Sequence, residues 1–367
     1  MRNIGELAVS KIKENNLGGV VSVLCDVGEE QAAGEVVKWL AQSNFTVKNQ
    51  NSAVQKDLDD VKELAERLEA VRLIVAVGGE KAVMAAKSVA KFTGAATIAI
   101  VTVVDGEGIF DEYAVFPRKN QQIRVPKPTA VAVYEGAKCL PEKCYGRLFY
   151  RAMRLIDKAF LQISDRLPPE TELFFELMKF FSEPAKTEDF AAALQKVAAD
   201  DYFPSFAVPS YLTAKEGTEF SESCFLSAAM MLVVYRNYLE KPFIDLLPPP
   251  DFTKSFKLLD KNAQWDYNIN LSESEFASID DFLKRKFVLS EYAADLLNMA
   301  QKVDLEGIAK KWKRSFKDAG FHLSKSPRGK ILVGDLSVAS ALDGGLLLHV
   351  KQSGFFENNI GYSKEYL

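Results

Sequence analysis

The sequence predicts an α/β plus all-α protein: an N-terminal Rossmann-like parallel-sheet domain over residues 1–139 and a C-terminal helical domain over residues 140–367. Three observations carry this. Short, nearly continuous apolar runs alternate with amphipathic segments through roughly the first 135 residues. A glycine pair, Gly78-Gly79, joins one such run directly to a helical pattern. From Leu140 onward the apolar residues recur at helical spacing. With 367 residues the chain is also too long for one ordinary core, so two domains are expected.

Residues 20–25 form a short apolar run, as in a strand covered on both faces. Residues 29–42 follow with helical spacing, and 57–70 form a second amphipathic helix with Val61, Leu64, Leu68 and Val71 on one stripe. A strand at 73–77, a helix at 81–92 and a strand at 97–101 continue the alternation. Strands separated by helices of this length imply βαβ units and a parallel sheet. Right-handed crossovers then gather the loops that follow the strands on one edge, where ligands bind in open α/β sheets. Residues 110–125 differ: two short β-prone pieces flank Pro117-Arg118-Lys119-Asn120, which predicts a hairpin or ribbon. A strand at 129–134 closes this half.

In the second half, residues 147–163, 171–181, 187–199, 221–239, 291–303 and 305–319 carry helical apolar stripes. Pro204, Pro209 and Pro248-Pro249-Pro250 punctuate them, and the polar stretch 248–278 is expected to be an irregular surface excursion. The most apolar stretch, 224–235, is shorter than the roughly 20 residues of a membrane helix and reads as a buried core helix. The N-terminal stretch is amphipathic and lacks the apolar run of a signal peptide. A cytoplasmic location with no membrane partner is expected.

A net charge of −4 argues against a nucleic-acid partner, because phosphate binding needs a concentrated basic face. The densest basic run, Lys310-Lys311-Trp312-Lys313-Arg314, reads as a solvated helix face. Four cysteines, Cys25, Cys139, Cys144 and Cys224, are too few for a disulfide scaffold. Cys139 and Cys144 are close in sequence, but their spacing is not that of a zinc site and neither histidine is near, so inert thiols are expected.

Glycines at a strand-to-helix turn let the backbone approach a phosphate, and the helix N-terminus offers N–H groups and a positive dipole end. Such a turn alone is also what many α/β proteins need simply to change direction. The whole string Leu73 to Lys87, LIVAVGGEKAVMAAK, says more. It resembles glycerol and glycerol-1-phosphate dehydrogenases of the dehydroquinate synthase-like, iron-containing alcohol dehydrogenase superfamily. There a similar strand leads into Gly-Gly-Gly-Lys/Arg, then an Asp and Ala-Lys. Gly78, Gly79, Lys81, Ala86 and Lys87 match without a gap. Thr102 falls at that family's Thr after the next strand, and Glu107-Gly108-Ile109 at its Asp-Gly-Ile. The likeness continues through residues 110–120, Leu140-Pro141, Gly146 and Asp157, and returns weakly at 305–312 and 349–357. The resemblance implies a dehydroquinate synthase-like fold, with NAD or NADP held by Gly78, Gly79, Lys81 and Thr102.

The family's metal, usually zinc or iron, is held by one acidic residue and two histidines of the helical domain and polarises the substrate for hydride transfer. Counted back from Asp157, the acidic ligand position becomes Arg147, whose guanidinium has no lone pair to donate. Between Leu140 and Phe321 there is no histidine at all; only His322 and His349 occur. Ser221-Glu222-Ser223 stands where the resemblance implies Ser-Glu-His. Glu80 replaces the third family glycine, setting a carboxylate at the pyrophosphate end, and Met84 replaces the Asp. No metal is therefore expected, and NAD or NADP binding should be weakened.

Three readings follow. In the first, catalysis is impaired or repurposed and the protein binds a small molecule in the cleft between its domains. In the second, an active NAD(P)-dependent glycerol or glycerol-phosphate dehydrogenase uses Arg147 as the cation that steadies a developing alkoxide. In the third, a relocated metal uses Cys139, Cys144, Cys224, His322 or His349. Arg147 is expected to meet Glu107 first and Asp105 second, below the Gly78-Gly79 edge. A homo-oligomer is compatible with each reading.

Overall fold

A computed structural model of the chain describes residues 3–52, 57–116, 121–200, 208–209, 213, 219–241, 279–311 and 345–352. Two compact units result: Met1–Cys144 with Ala185–Asp201, and Tyr145–Pro184 with Tyr202–Leu367. His322, Trp312, the Pro117–Asn120 turn, Pro204 and the expected excursion at 248–278 lie outside the described residues.

The first unit is built on a five-stranded sheet. Its strands are β1 (Val20–Cys25), β2 (Thr46–Ser52), β3 (Leu73–Gly78), β4 (Ala96–Val104) and, after a ribbon, β7 (Ala130–Cys139). Their order is β2-β1-β3-β4-β7 and every neighbouring pair is parallel. The ribbon is the antiparallel pair β5 (Tyr113–Phe116) and β6 (Gln121–Arg124), as the sequence predicts. Successive strand residues point to opposite faces. Val21, Val23, Cys25, Leu73, Val75, Val77, Ile98 and Ile100 therefore share one face, which packs on α1 (Ile4–Glu14) and α2 (Glu30–Gln42). Helices α3 (Leu58–Arg67) and α4 (Glu80–Thr93) pack on each other, with α4 against β1, β3 and β4.

The expected stripe of α3 is buried throughout, and Asp57 caps the helix by accepting from the N–H groups of Asp59 and Asp60. Helix α4 stops at Gly94, whose φ of 71° is the left-handed conformation that favours glycine.

Strand β2 was not anticipated. Its sequence, TVKNQNS, has no apolar alternation, because it lies at the sheet edge with residues no more than half-buried. Ladder bonds to β1, with Ser22 Oγ donating to Asn49 Oδ1 at 2.9 Å, make it a strand. Strands β4 and β7 run on past the expected 101 and 134, so they end together, with Val104 paired to Cys139.

The second unit contains most of α5 (Pro141–Ser164), with α6 (Glu172–Ser182), α8 (Phe220–Leu239), α9 (Ile279–Gln301), α10 (Leu305–Lys311) and α11 (Gly345–Gln352). Helix α7 (Thr187–Ala199), which the sequence reading assigns to the helical half, packs instead on β4 and β7 of the first unit. An apolar stripe requires a covered face but does not say by what. Helix α9 begins earlier than the expected 291, with Phe282 and Leu289 buried among the charged residues that obscured the pattern.

Helix α8 is buried nearly all round, consistent with its apolar sequence. It runs so close to α5 that a Cβ at Gly146 would overlap the Ser221 carbonyl. At the other end of α5, Asp157 is fully buried and pins α11. It pairs with Arg154 at 3.0 Å, accepts from Tyr235 Oη at 2.8 Å, and accepts from the Leu346 N–H at 2.7 Å. Burial pushes its carboxyl above the usual range, against the pull of Arg154. None of the described helices is long and apolar enough to cross a membrane.

Candidate functional site

The strand order places the topological switch point between β1 and β3, and in open α/β sheets ligands bind beyond the carboxyl ends of the strands there. Asp26 follows β1 and Gly78-Gly79 ends β3 at this edge. Gly78 has φ 141°, outside the range of other residues, which turns the chain from strand to helix. Gly79 is the N-cap of α4 but has no side chain with which to cap it. The first N–H groups of α4 thus need acceptors from elsewhere.

They have them. Asp26 Oδ2 accepts from the Gly79 N–H at 2.6 Å. Asp105, arriving from the end of β4, accepts the Glu80 N–H through Oδ1 at 2.7 Å. A Cβ at Gly78 would overlap the Asp26 carboxylate, and one at Gly79 that of Asp105. The space that the two glycines keep open is occupied by the protein's own acids. Burial raises the Asp26 pKa, opposed by the Gly79 and Ala82 N–H groups and by the charge of Lys81.

The role expected for Glu80 is corrected. Its Oε1 accepts from the Gly108 N–H at 2.9 Å, so the carboxylate anchors the β4–β5 connection, and Asp26 and Asp105 are the groups on the helix end. A Cβ at Gly108 would overlap both Glu80 and Met84, the two residues at which the sequence departs from the family string. The same peptide is held from its other side by Lys87. Fully buried, Lys87 Nζ donates to Gly108 O (2.7 Å), Asp111 O (2.8 Å), Asp111 Oδ1 (2.8 Å) and Tyr113 O (3.0 Å). Burial lowers its pKa and raises that of Asp111, each opposed by the other's charge. Alpha-4 therefore grips residues 108–113 at two points, and Glu107 is buried on the short turn Glu107–Ile109 that packs between α4 and α7.

Of the remaining expected site residues, Thr102 is buried near the end of β4, and its hydroxyl has no hydrogen-bond partner among the described residues. Lys81 is exposed in the first turn of α4. Gly78, Gly79, Lys81, Thr102 and Glu107 all belong to the first unit. Arg147 belongs to the second, half-buried on α5, with its guanidinium 5.0 Å from the centroid of the Phe220 ring. His349 is fully buried on α11, stacked on Phe282 at 4.6 Å and beside Phe160 and Tyr238. This aromatic packing is a core environment. Among the described residues no group of three or more His, Cys, Asp or Glu is arranged to hold a metal ion.

Sequence reasoning did not bring Asp26 to the glycine turn, and it named Asp105 below that edge only as a partner for Arg147, not as an acceptor for the helix end. Each directly follows a β-strand at the ligand edge, and that position was the available signal.

Residues 4–134 match the sequence model of a family described as iron-containing alcohol dehydrogenase, and no curated protein matches the chain. An iron-containing alcohol dehydrogenase from Thermotoga maritima has 12% identity and a TM-score of 0.51, over 98% of this chain and 96% of that one. Maleylacetate reductase from Agrobacterium tumefaciens has 13% identity and a TM-score of 0.51, over 99% and 95%. A glycerol dehydrogenase from Schizosaccharomyces pombe has 11% identity and a TM-score of 0.46, over 87% and 90%. The Thermotoga and Agrobacterium likenesses show the fold: a parallel-sheet α/β domain and a helical region, as in iron-containing alcohol dehydrogenases and dehydroquinate synthase-like proteins.

Proposed function

We propose that this chain is a divergent relative of NAD(P)-dependent polyol dehydrogenases in which dinucleotide binding is weakened and metal-dependent catalysis impaired, leaving a small-molecule-binding role. The observation that carries the reading is the pair of carboxylates, Asp26 and Asp105, on the N-terminal N–H groups of α4. A pyrophosphate needs those donors and brings negative charge of its own. The residues as they stand do not fit it, since the donors are taken and each nearby carboxylate adds repulsion on the order of 1 kcal/mol or more.

A transition metal is likewise not expected to be held where the resemblance implies one. Arg147 brings a fixed positive charge to the acidic ligand position, and residues 140–321 supply no imidazole. Two measurements on purified protein test the reading. Titration with NADH and with NADPH, followed by calorimetry, is expected to show weak binding or none. Elemental analysis is expected to show no stoichiometric zinc or iron. Tight dinucleotide binding together with about one transition metal per chain would overturn the proposal. Oxidation of glycerol or glycerol phosphate without a metal would instead favour an active dehydrogenase that uses Arg147.

A further inference from the structure

Cys139 and Cys144 flank the connection from the last strand of the sheet to α5, and the fold brings them together. Cys139 ends β7 and is paired in register with Val104 of β4. The chain then turns at once: the Leu140 N–H donates to Val104 O at 2.9 Å, and the Lys143 and Cys144 N–H groups return to Leu140 O. This first turn carries Cys144 back over the strand ends, where its Sγ donates to the same Val104 oxygen at 3.5 Å. The Cys144 thiol therefore lies at the backbone group opposite Cys139, near enough to the Cys139 thiol to influence its ionisation.

Their surroundings differ. Cys144 is fully buried, as are Cys25 and Cys224, whereas Cys139 is partly exposed. The neighbouring Cys144 thiol lowers the Cys139 pKa, while burial and the nearby Glu142 and Asp105 carboxylates raise it. A partly accessible thiol whose ionisation is favoured, with a second thiol beside it at the same backbone group, is the arrangement of a sensing and a resolving cysteine.

We propose that Cys139 and Cys144 are a redox-modification site that closes to an intramolecular disulfide on exposure to hydrogen peroxide. The Cys139 thiolate attacks one peroxide oxygen and the O–O bond breaks. That forms the sulfenic acid and, after proton uptake, releases water. The Cys144 sulfur then attacks the Cys139 sulfur; the S–OH bond breaks, hydroxide leaves with the Cys144 proton as a second water, and both sulfurs end oxidised in one S–S bond. A dithiol reductant reverses the change. Oxidation removes the Cys144 S–H that donates to Val104, directly beside the Asp105 that caps α4.

The test treats the folded, full-length protein with low peroxide, alkylates it with N-ethylmaleimide, and maps the cysteines by mass spectrometry. Wild type is expected to lose the mass of two hydrogens, to yield one crosslinked Cys139–Cys144 peptide, and to recover all four thiols after dithiothreitol. Cys144→Ser should accumulate a sulfenic acid at Cys139 that dimedone captures, and Cys139→Ser should form no intramolecular disulfide. Cys139 should also be the first of the four thiols alkylated without oxidant. Retention of four alkylatable thiols in peroxide-treated wild type, or a disulfide joining any other pair, would overturn the proposal. Those two readouts use the unmutated chain, so they hold even if a variant fails to fold.

Discussion

Replacing Lys87 by Met tests how strongly α4 holds the connection that carries Glu107. The Lys87 ammonium has three hydrogens to share among four oxygens, all between 2.7 and 3.0 Å, and it is completely buried. Met fills a similar volume but donates nothing. Asp111 would keep the Tyr113 N–H at 3.1 Å but lose its cation, and the carbonyls of Gly108, Asp111 and Tyr113 would lose a charged donor. Breaking a buried ion pair from one side costs about 3–5 kcal/mol, because the other charge is left uncompensated. Urea unfolding followed by circular dichroism should show a loss of that size in the first transition to change. Lys87→Met/Asp111→Leu should be less damaging than the single change, since no charge then remains buried.

The pH dependence adds a sign. A carboxyl whose folded pKa is raised contributes stability that is complete below its unfolded pKa and is lost as pH rises through the folded one. Burial already raises Asp111, and removal of Lys87 raises it further. The defect of Lys87→Met should therefore be smaller near pH 4 than at pH 7. A loss under about 1 kcal/mol, or one that grows as pH falls, would refute the idea that the pair is charged and tightly held.

Three further outcomes are expected. Asp105→Asn keeps an acceptor for the Glu80 N–H but removes a charge, so NADH affinity should rise by roughly fivefold, which calorimetry would detect; Glu80→Gly should gain less, because Gly108 loses its acceptor. His349 has its pKa lowered to about 3 by burial, with Arg285 adding to the effect. Its contribution is complete above its unfolded value of 6.5 and is lost as pH falls towards 3, on the order of 5 kcal/mol in all, so His349→Leu should flatten the stability profile across that window. Gly345→Ala should cost at least about 1–2 kcal/mol, measured by thermal unfolding, because φ is 63° and the added methyl would meet Asp157.

Much of the first unit was legible in sequence because its signals are local. The apolar runs of β1, β3 and β4, the stripe of α3, the glycine turn and the ribbon each follow from a few neighbouring residues whose spacing matches one regular structure. The helical stripes of α5, α6 and α8 were legible for the same reason. What lies opposite a buried face, or which acceptor reaches a helix end, is not encoded at that range. Strand β2 exists because β1 offers it a ladder, and α7 joins the first unit because β4 and β7 cover its stripe. Lys87 matched a motif in sequence, yet only the fold brings the oxygens of Gly108, Asp111 and Tyr113 around it. Asp26 and Asp105 lie far from Gly79 along the chain. They reach α4 only because the parallel sheet ends β1, β3 and β4 on one edge, where unpaired helix N–H groups draw the nearest carboxylates.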